Sequence, residues 1–112
     1  MNIYDDAHRL ARSIKESSEF KEYKEKKEIA FADPKNKEMI EDFQKKAIEV
    51  QMAQMSDEKP DKEKIEQVQK LENILMLNPV IKDYLMAEAS FSQIISDVYK
   101  ILEDAMKVEK GE

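Results

Sequence analysis

Few side chains in this 112-residue sequence are of kinds that carry out chemistry. The single histidine, His8, follows Asp5 by three positions, which places a carboxylate and an imidazole on one face of a helix. Carboxylate-bridged di-metal bundles use such pairs, but in duplicate and with further glutamates projecting inward. With one histidine in the chain, Asp5-x-x-His8 reads as a surface or structural pair, and no metal site is expected. Cysteine is absent, which excludes disulfides, thiolate metal ligands and a cysteine nucleophile. The only glycine, Gly111, is near the end of the sequence. Phosphate-cradling loops, the dinucleotide fingerprint and most tight hairpins need glycine where φ is positive or the backbone approaches a phosphate. There is no Ser/His/Asp ordering, no oxyanion loop and no calcium loop. These exclusions predict a protein that is not an enzyme and has no cofactor.

Charge points the same way. The formal net charge is −6, from 19 basic and 25 acidic side chains. Residues 1–56 carry 11 basic and 12 acidic groups and residues 57–112 carry 8 and 13, so the acidity is concentrated in the second half. The densest basic run, Lys21, Lys24, Lys26 and Lys27, interleaves with Glu19, Glu22, Glu25 and Glu28 and reads as a solvated helix. Nucleic acid is held mainly by phosphate neutralisation, so direct binding to it is not expected. Glu22–Lys26, Glu41–Lys45, Asp42–Lys46, Glu66–Lys70 and Glu103–Lys107 have the i, i+4 spacing that mildly supports helices. The opening MNIYDDAHRL lacks a basic stretch followed by an apolar run, so no signal peptide is expected. No apolar stretch is long enough to span a bilayer, and a cytoplasmic location is the expectation.

The elements that would position these groups are helices. Asn2 caps a first segment with Ile3, Ala7, Leu10, Ala11 and Ile14 on one stripe. Ser17 and Ser18 interrupt it, and Ser18 is the expected cap of a second helix over about residues 19–32, with Phe20, Tyr23, Lys27, Ala30 and Phe31 on a narrow face. Asp33-Pro34 opens a third helix to about residue 55, with Met39, Ile40, Phe43, Ala47 and Val50 on one side. Ser56–Pro60 reads as a loop. Asp61 caps a fourth helix over about residues 62–77 that carries Ile65, Val68, Leu71 or Glu72, and Leu75. Asn78-Pro79 repeats the cap-plus-proline device. That echo, with Met39-Ile40 and Tyr84-Leu85 at equal distances beyond, reads as two helix starts obeying the same rule rather than as a duplication.

The fifth helix, expected over about residues 79–108, would be roughly 45 Å long at 1.5 Å per residue. Ile81, Tyr84, Glu88, Phe91, Ile95, Val98, Leu102 and Ala105 alternate spacings of three and four, a heptad seam. Val80, Ala87, Ile94, Ile101 and Val108 form a second line beside it. Together they make a face too wide for one neighbouring helix. Phe91, Ile95, Val98 and Leu102 are therefore expected in, or directly beneath, a self-association interface. Glu88 sits on the seam, where a carboxylate must either be paired or face solvent. Methionine is in excess at seven, and Met52, Met55, Met76, Met86 and Met106 lie near helix ends or off the main stripes. The run Gln51-Met52-Ala53-Gln54-Met55 precedes the loop, and Met52 and Met55 are the expected partner contact because thioethers repack easily.

The order of these motifs resembles a known family. NIYDDAHRLARSIKES, then EFKEYKEKKE, ADP, QMAQM, an acidic loop, NPVIKDYLMAE and FSQIISDVYKIL follow the pattern of the small bacterial YlbF/YmcA proteins, to which YheA-type proteins are related, over residues 2–106. The resemblance implies an all-helical, self-associating protein linked to competence, sporulation and biofilm regulation. It further implies a heteromeric complex with YlbF-, YmcA- or YaaT-like proteins that assists RNase Y in mRNA processing. Iron–sulfur clusters have been associated with that complex, but this chain has no cysteine with which to hold one. The expectation is one all-α domain over residues 1–112, an antiparallel bundle of about five helices with a long C-terminal helix, acting as a non-enzymatic adaptor; the alternative is a structural or chaperone-like oligomer with no RNA-processing link.

Overall fold

The computed structural model describes residues 2–56, 59 and 61–108. Five α-helices follow one another: α1 (Ile3–Glu16), α2 (Ser18–Ala32), α3 (Pro34–Met55), α4 (Lys62–Met76) and α5 (Pro79–Met106). No strand occurs among the described residues. Asp57, Glu58 and Pro60 of the expected loop, and Gly111, lie outside them.

Each helix begins where a short polar side chain can take up orphan amide protons. Asn2 Oδ1 accepts from the Tyr4 amide at 2.8 Å, Asp33 Oδ1 from Lys35 at 2.9 Å, Asp61 Oδ1 from Glu63 at 3.0 Å and Asn78 Oδ1 from Val80 at 3.1 Å. The cap of α2 is Ser17 rather than Ser18. Ser17 Oγ accepts from the Phe20 amide at 3.1 Å and donates to the Ile14 carbonyl at 2.6 Å, closing α1 and opening α2 with one hydroxyl. Ser17 is extended (φ −65°, ψ 147°), so the chain turns there. The other boundary differences are small: α4 stops at Met76 and α5 at Met106.

The core is small. Ala30, Ile40, Leu75, Ile81 and Tyr84 are buried, with Tyr23, Phe31, Phe43 and Leu85 packed around them. α2 lies along the first half of α5, α3 pairs with α4, and α1 packs principally on α2. The aromatic contacts show that α2 and α5 run antiparallel: Phe20 meets Phe91 at 5.2 Å between ring centroids, while Phe31 meets Tyr84 at 5.3 Å. On α4 it is Leu71, not Glu72, that turns inward. The two cap-plus-proline starts are joined by a bond from Asn78 Nδ2 to Asn36 Oδ1 at 3.2 Å. Beyond them the echo fails, because Tyr84 is buried where its counterpart Met39 is exposed.

The result is flat and open. The principal extents are 48 × 37 × 16 Å and the radius of gyration is 17.9 Å. A compact chain of this length would have a radius of gyration of about 13 Å.

Candidate protein-interaction surface

Burial along α5 decays from its first half to its second. Ile81, Tyr84 and Ala87 are buried. Glu88, Phe91, Ile94, Ile95 and Val98 are half-buried, and Ile101, Leu102 and Ala105 are exposed. The heptad is unchanged over this length, so the decay records where neighbours end. α2 covers the helix only to the level of Phe91 and Ile95. Of the four residues expected in self-association, Phe91 is held within its own chain by Phe20 and Tyr23, the latter stacked at 5.3 Å. Ile95 and Val98 are partly covered, and Leu102 is open.

Glu88 marks the border. Tyr84 Oη donates to Glu88 Oε2 at 2.7 Å, and Gln44 Nε2 donates to the same oxygen at 3.1 Å and to Tyr84 Oη at 3.2 Å. The seam carboxylate is therefore paired within the chain, and it ties α3 to α5. Burial, reinforced by the bond to Glu88, pushes the Tyr84 phenol well above its usual range. Sequence reasoning left Glu88 open because Gln44 is forty-four residues away, and nothing local signals the pairing. Lys27, on the narrow face of α2, rests its ammonium 5.8 Å and 5.4 Å from the ring centroids of Tyr23 and Phe31. An amphipathic stem and a cation over two rings explain how lysine belongs to an aromatic stripe.

Two grooves flank this border. A groove of about 320 Å³ is lined by Tyr23, Glu88, Phe91, Ser92 and Ile95. Another of about 290 Å³ runs between Phe43, Glu72, Met76, Leu85 and Met86 on the other side of Glu88. Both are mainly apolar, and the carboxylate at their edge is engaged. A further depression of about 540 Å³ is lined by α3 residues alone and is an outer helix surface. No cluster of three or more metal-ligating side chains occurs among the described residues, and His8 is exposed. Of the five i, i+4 pairs, Asp42–Lys46 is closed at 3.1 Å, while Lys107 turns instead to Asp104 at 3.4 Å.

Among its exposed residues the chain also presents large apolar side chains. None of α1 is buried, although Ile3, Ala7, Leu10, Ala11 and Ile14 share one stripe. The accessible surface is 9378 Å². A folded monomer of this mass has about 6,400 Å², so about 3,000 Å² is in excess. Met52 and Met55 are also exposed, at the end of α3. No helix among the described residues is long and apolar enough to cross a membrane.

The fold is that of an open all-helical protein with apolar helix faces exposed to solvent. Comparison with known proteins gives the family. Residues 3–107 match the family described as control of competence regulator ComK, YlbF/YmcA, and the chain belongs to it. A UPF0342 protein of Caldicellulosiruptor bescii is 41% identical over 106 residues, covering 95% of this chain and 89% of that protein. One from Symbiobacterium thermophilum is 38% identical over 107 residues, covering 96% of both. A solved structure of a protein of unknown function (DUF964) from Bacillus stearothermophilus superposes with a TM-score of 0.77 at 21% identity, over 93% of this chain and 91% of that one. That likeness bears on the fold.

Proposed function

We propose that this protein is a non-enzymatic helical adaptor, one domain over residues 1–112, that self-associates and regulates through protein partners. The observation that carries this reading is the exposure of large apolar side chains, among them Ile3 and Tyr4 on α1 and Tyr99, Ile101, Leu102 and Met106 on the second half of α5. Large contiguous apolar faces on a folded protein are interaction sites. In this reading Ile95, Val98 and Leu102 contribute to self-association, with Phe91 as the support beneath them. Met52 and Met55 form a second contact, for a partner other than the chain itself. The family's description supports a role in competence control; this reading extends it to sporulation or biofilm control, exerted in the cytoplasm through YlbF-, YmcA- or YaaT-like proteins and RNase Y.

The net charge of −6 makes any effect on RNA indirect, since phosphates would be repelled. Affinity capture of the tagged protein from its native host tests the proposal. Co-recovery of YaaT-like protein and RNase Y supports the adaptor. Recovery of the chain with only itself would favour a structural or chaperone-like oligomer. Tight binding of single-stranded RNA by the purified protein at near-physiological salt would overturn the adaptor reading.

A further inference from the structure

Two apolar stripes of this chain have the same spacing. On α1 the stripe is Ile3, Tyr4, Ala7, Leu10, Ala11 and Ile14; on α5 it is Ile94, Ile95, Val98, Ile101, Leu102 and Ala105. Each residue of the second is its counterpart in the first moved by a constant interval. Ala7 corresponds to Val98, Ala11 to Leu102 and Ile14 to Ala105, pairing small with large, while Ile3–Ile94, Tyr4–Ile95 and Leu10–Ile101 pair large with large. Layers that set small side chains against large ones let two helices interdigitate. Within one chain the two stripes are not packed together: α1 has no buried residue, and Ile101 and Leu102 remain 67% and 46% exposed.

We infer that α1 of one copy packs parallel to the second half of α5 of another, reciprocally, in a two-fold dimer. The inference rests on the self-association proposed above and assigns its geometry. Three arguments select a second copy as the occupant. First, each chain carries both stripes, so a two-fold axis satisfies all four with no further component. Second, the excess surface of about 3,000 Å² per chain exceeds the roughly 800 Å² per partner that a stable interface buries, so covering both stripes is within what a dimer needs. Third, an isolated helix shorter than about 12–15 residues is marginal in water, and α1, with 14 residues and little to pack on, requires a partner to be held.

Direction follows from the polar borders. In an antiparallel pairing Asp6 would lie on the same side as Asp97 and Asp104, placing acid against acid. In the parallel pairing those two carboxylates flank Tyr4 and Ala11, with His8 and Lys15 behind them at the same seven-residue interval.

The absence of cysteine makes the test direct, because any introduced thiol is unique. Leu10→Cys and Ile101→Cys are prepared as separate single variants, mixed, and oxidised. A covalent dimer containing one of each is expected, in several-fold excess over the dimers formed by either variant alone. Since each chain holds one thiol, the bond cannot be internal. Leu10→Cys mixed with Ile94→Cys, two turns out of register, is expected to cross-link poorly. In parallel, Leu10→Asp should raise the dissociation constant of the dimer by about 100-fold, the effect of losing two buried leucines per dimer, with helicity retained. A dimer in light scattering that yields no Leu10–Ile101 cross-link, or that prefers Ile94, overturns this geometry and leaves the adaptor reading standing. A wild-type chain that stays monomeric at high micromolar concentration overturns both.

Discussion

The two halves of α5 have the same heptad and opposite surroundings. From Pro79 to Phe91 the seam is closed by α2, with Ile81 and Tyr84 fully buried and the Tyr23 and Phe91 rings stacked across the join. From Ile95 to Met106 the same alternation of three and four leads into solvent. A helix's apolar pattern therefore specifies that it will be covered and not by what. Intramolecular and intermolecular cores are written in one notation, and only the length of the neighbouring helix tells them apart. α2 is a 15-residue helix against a 28-residue one, and the uncovered remainder is the surface on which function is proposed.

The sharpest way to test that division is a charge placed in each half. Phe91→Asp removes a ring held by Phe20 and Tyr23 and buries a carboxylate among aromatic rings; it should cost more than the about 3–5 kcal/mol typical of Phe→Ala and leave little folded protein by circular dichroism. Leu102→Asp should keep the helical spectrum and lower the mass in light scattering. Equal unfolding by both would mean that the second half of α5 is structural in the single chain.

A gentler pair sharpens the same contrast. Ile81→Ala should lose about 3 kcal/mol in urea unfolding, because its site is closed on all sides. Ile101→Ala should change the unfolding free energy of dilute protein by about 0.5 kcal/mol or less, and its cost should grow as protein concentration rises. A concentration-independent loss at Ile101 would count against an interface there.

Much of this architecture was legible in the sequence, and the reasons are local. Asn2, Asp33, Asp61 and Asn78 are caps because a short acceptor side chain followed by a helix-compatible run can do little else, and two of them precede a proline. The Ser17/Ser18 choice was ambiguous because both hydroxyls can cap, and the chain direction decides between them. The stripes on α2, α3 and α4 point mostly inward as their periodicity requires, but Lys27 and Met39, which belong to them by spacing, are exposed. Relations between distant segments were not legible. The Gln44–Tyr84–Glu88 network, the aromatic cluster of Phe20, Tyr23 and Phe91, and the point where α2 stops covering α5 all depend on tertiary placement. The interaction surface was thus visible as a pattern and invisible as an exposure.

The border between the halves offers a pH test. Tyr84 has its ordinary value of 10.0 when unfolded and a higher one when folded, because burial and the Glu88 carboxylate disfavour the phenolate. The folded state therefore holds a proton that the unfolded state has lost once the pH passes 10.0. Stability contributed by this group is intact below that pH and falls above it, by up to about 1.4 kcal/mol per pH unit. Tyr84→Phe should cost about 1 kcal/mol at neutral pH, from the lost bond to Glu88, and its alkaline limb should be flatter than the wild type's. Parallel alkaline limbs would show that the phenol does not titrate differently in the two states.

The smallest stability effect is expected farthest from the core. Met52 and Met55 are 63% and 79% exposed at the end of α3, and nothing in the chain packs tightly on them. Surface substitutions of this kind usually change stability by no more than about 0.5 kcal/mol. A Met52→Glu, Met55→Glu double variant should therefore unfold at nearly the wild-type urea concentration and keep its oligomer mass, since the proposed dimer uses α1 and α5. Recovery of heterologous partners from the host should nonetheless drop, because two carboxylates replace the adaptable thioethers at the proposed contact. The combination is diagnostic: unchanged stability and mass with lost partner recovery separates the two surfaces. If recovery is undiminished in a well-folded double variant, these methionines are not the contact. If the oligomer mass falls instead, the end of α3 belongs to the self-association surface, and the contrast between the halves of α5 no longer accounts for assembly.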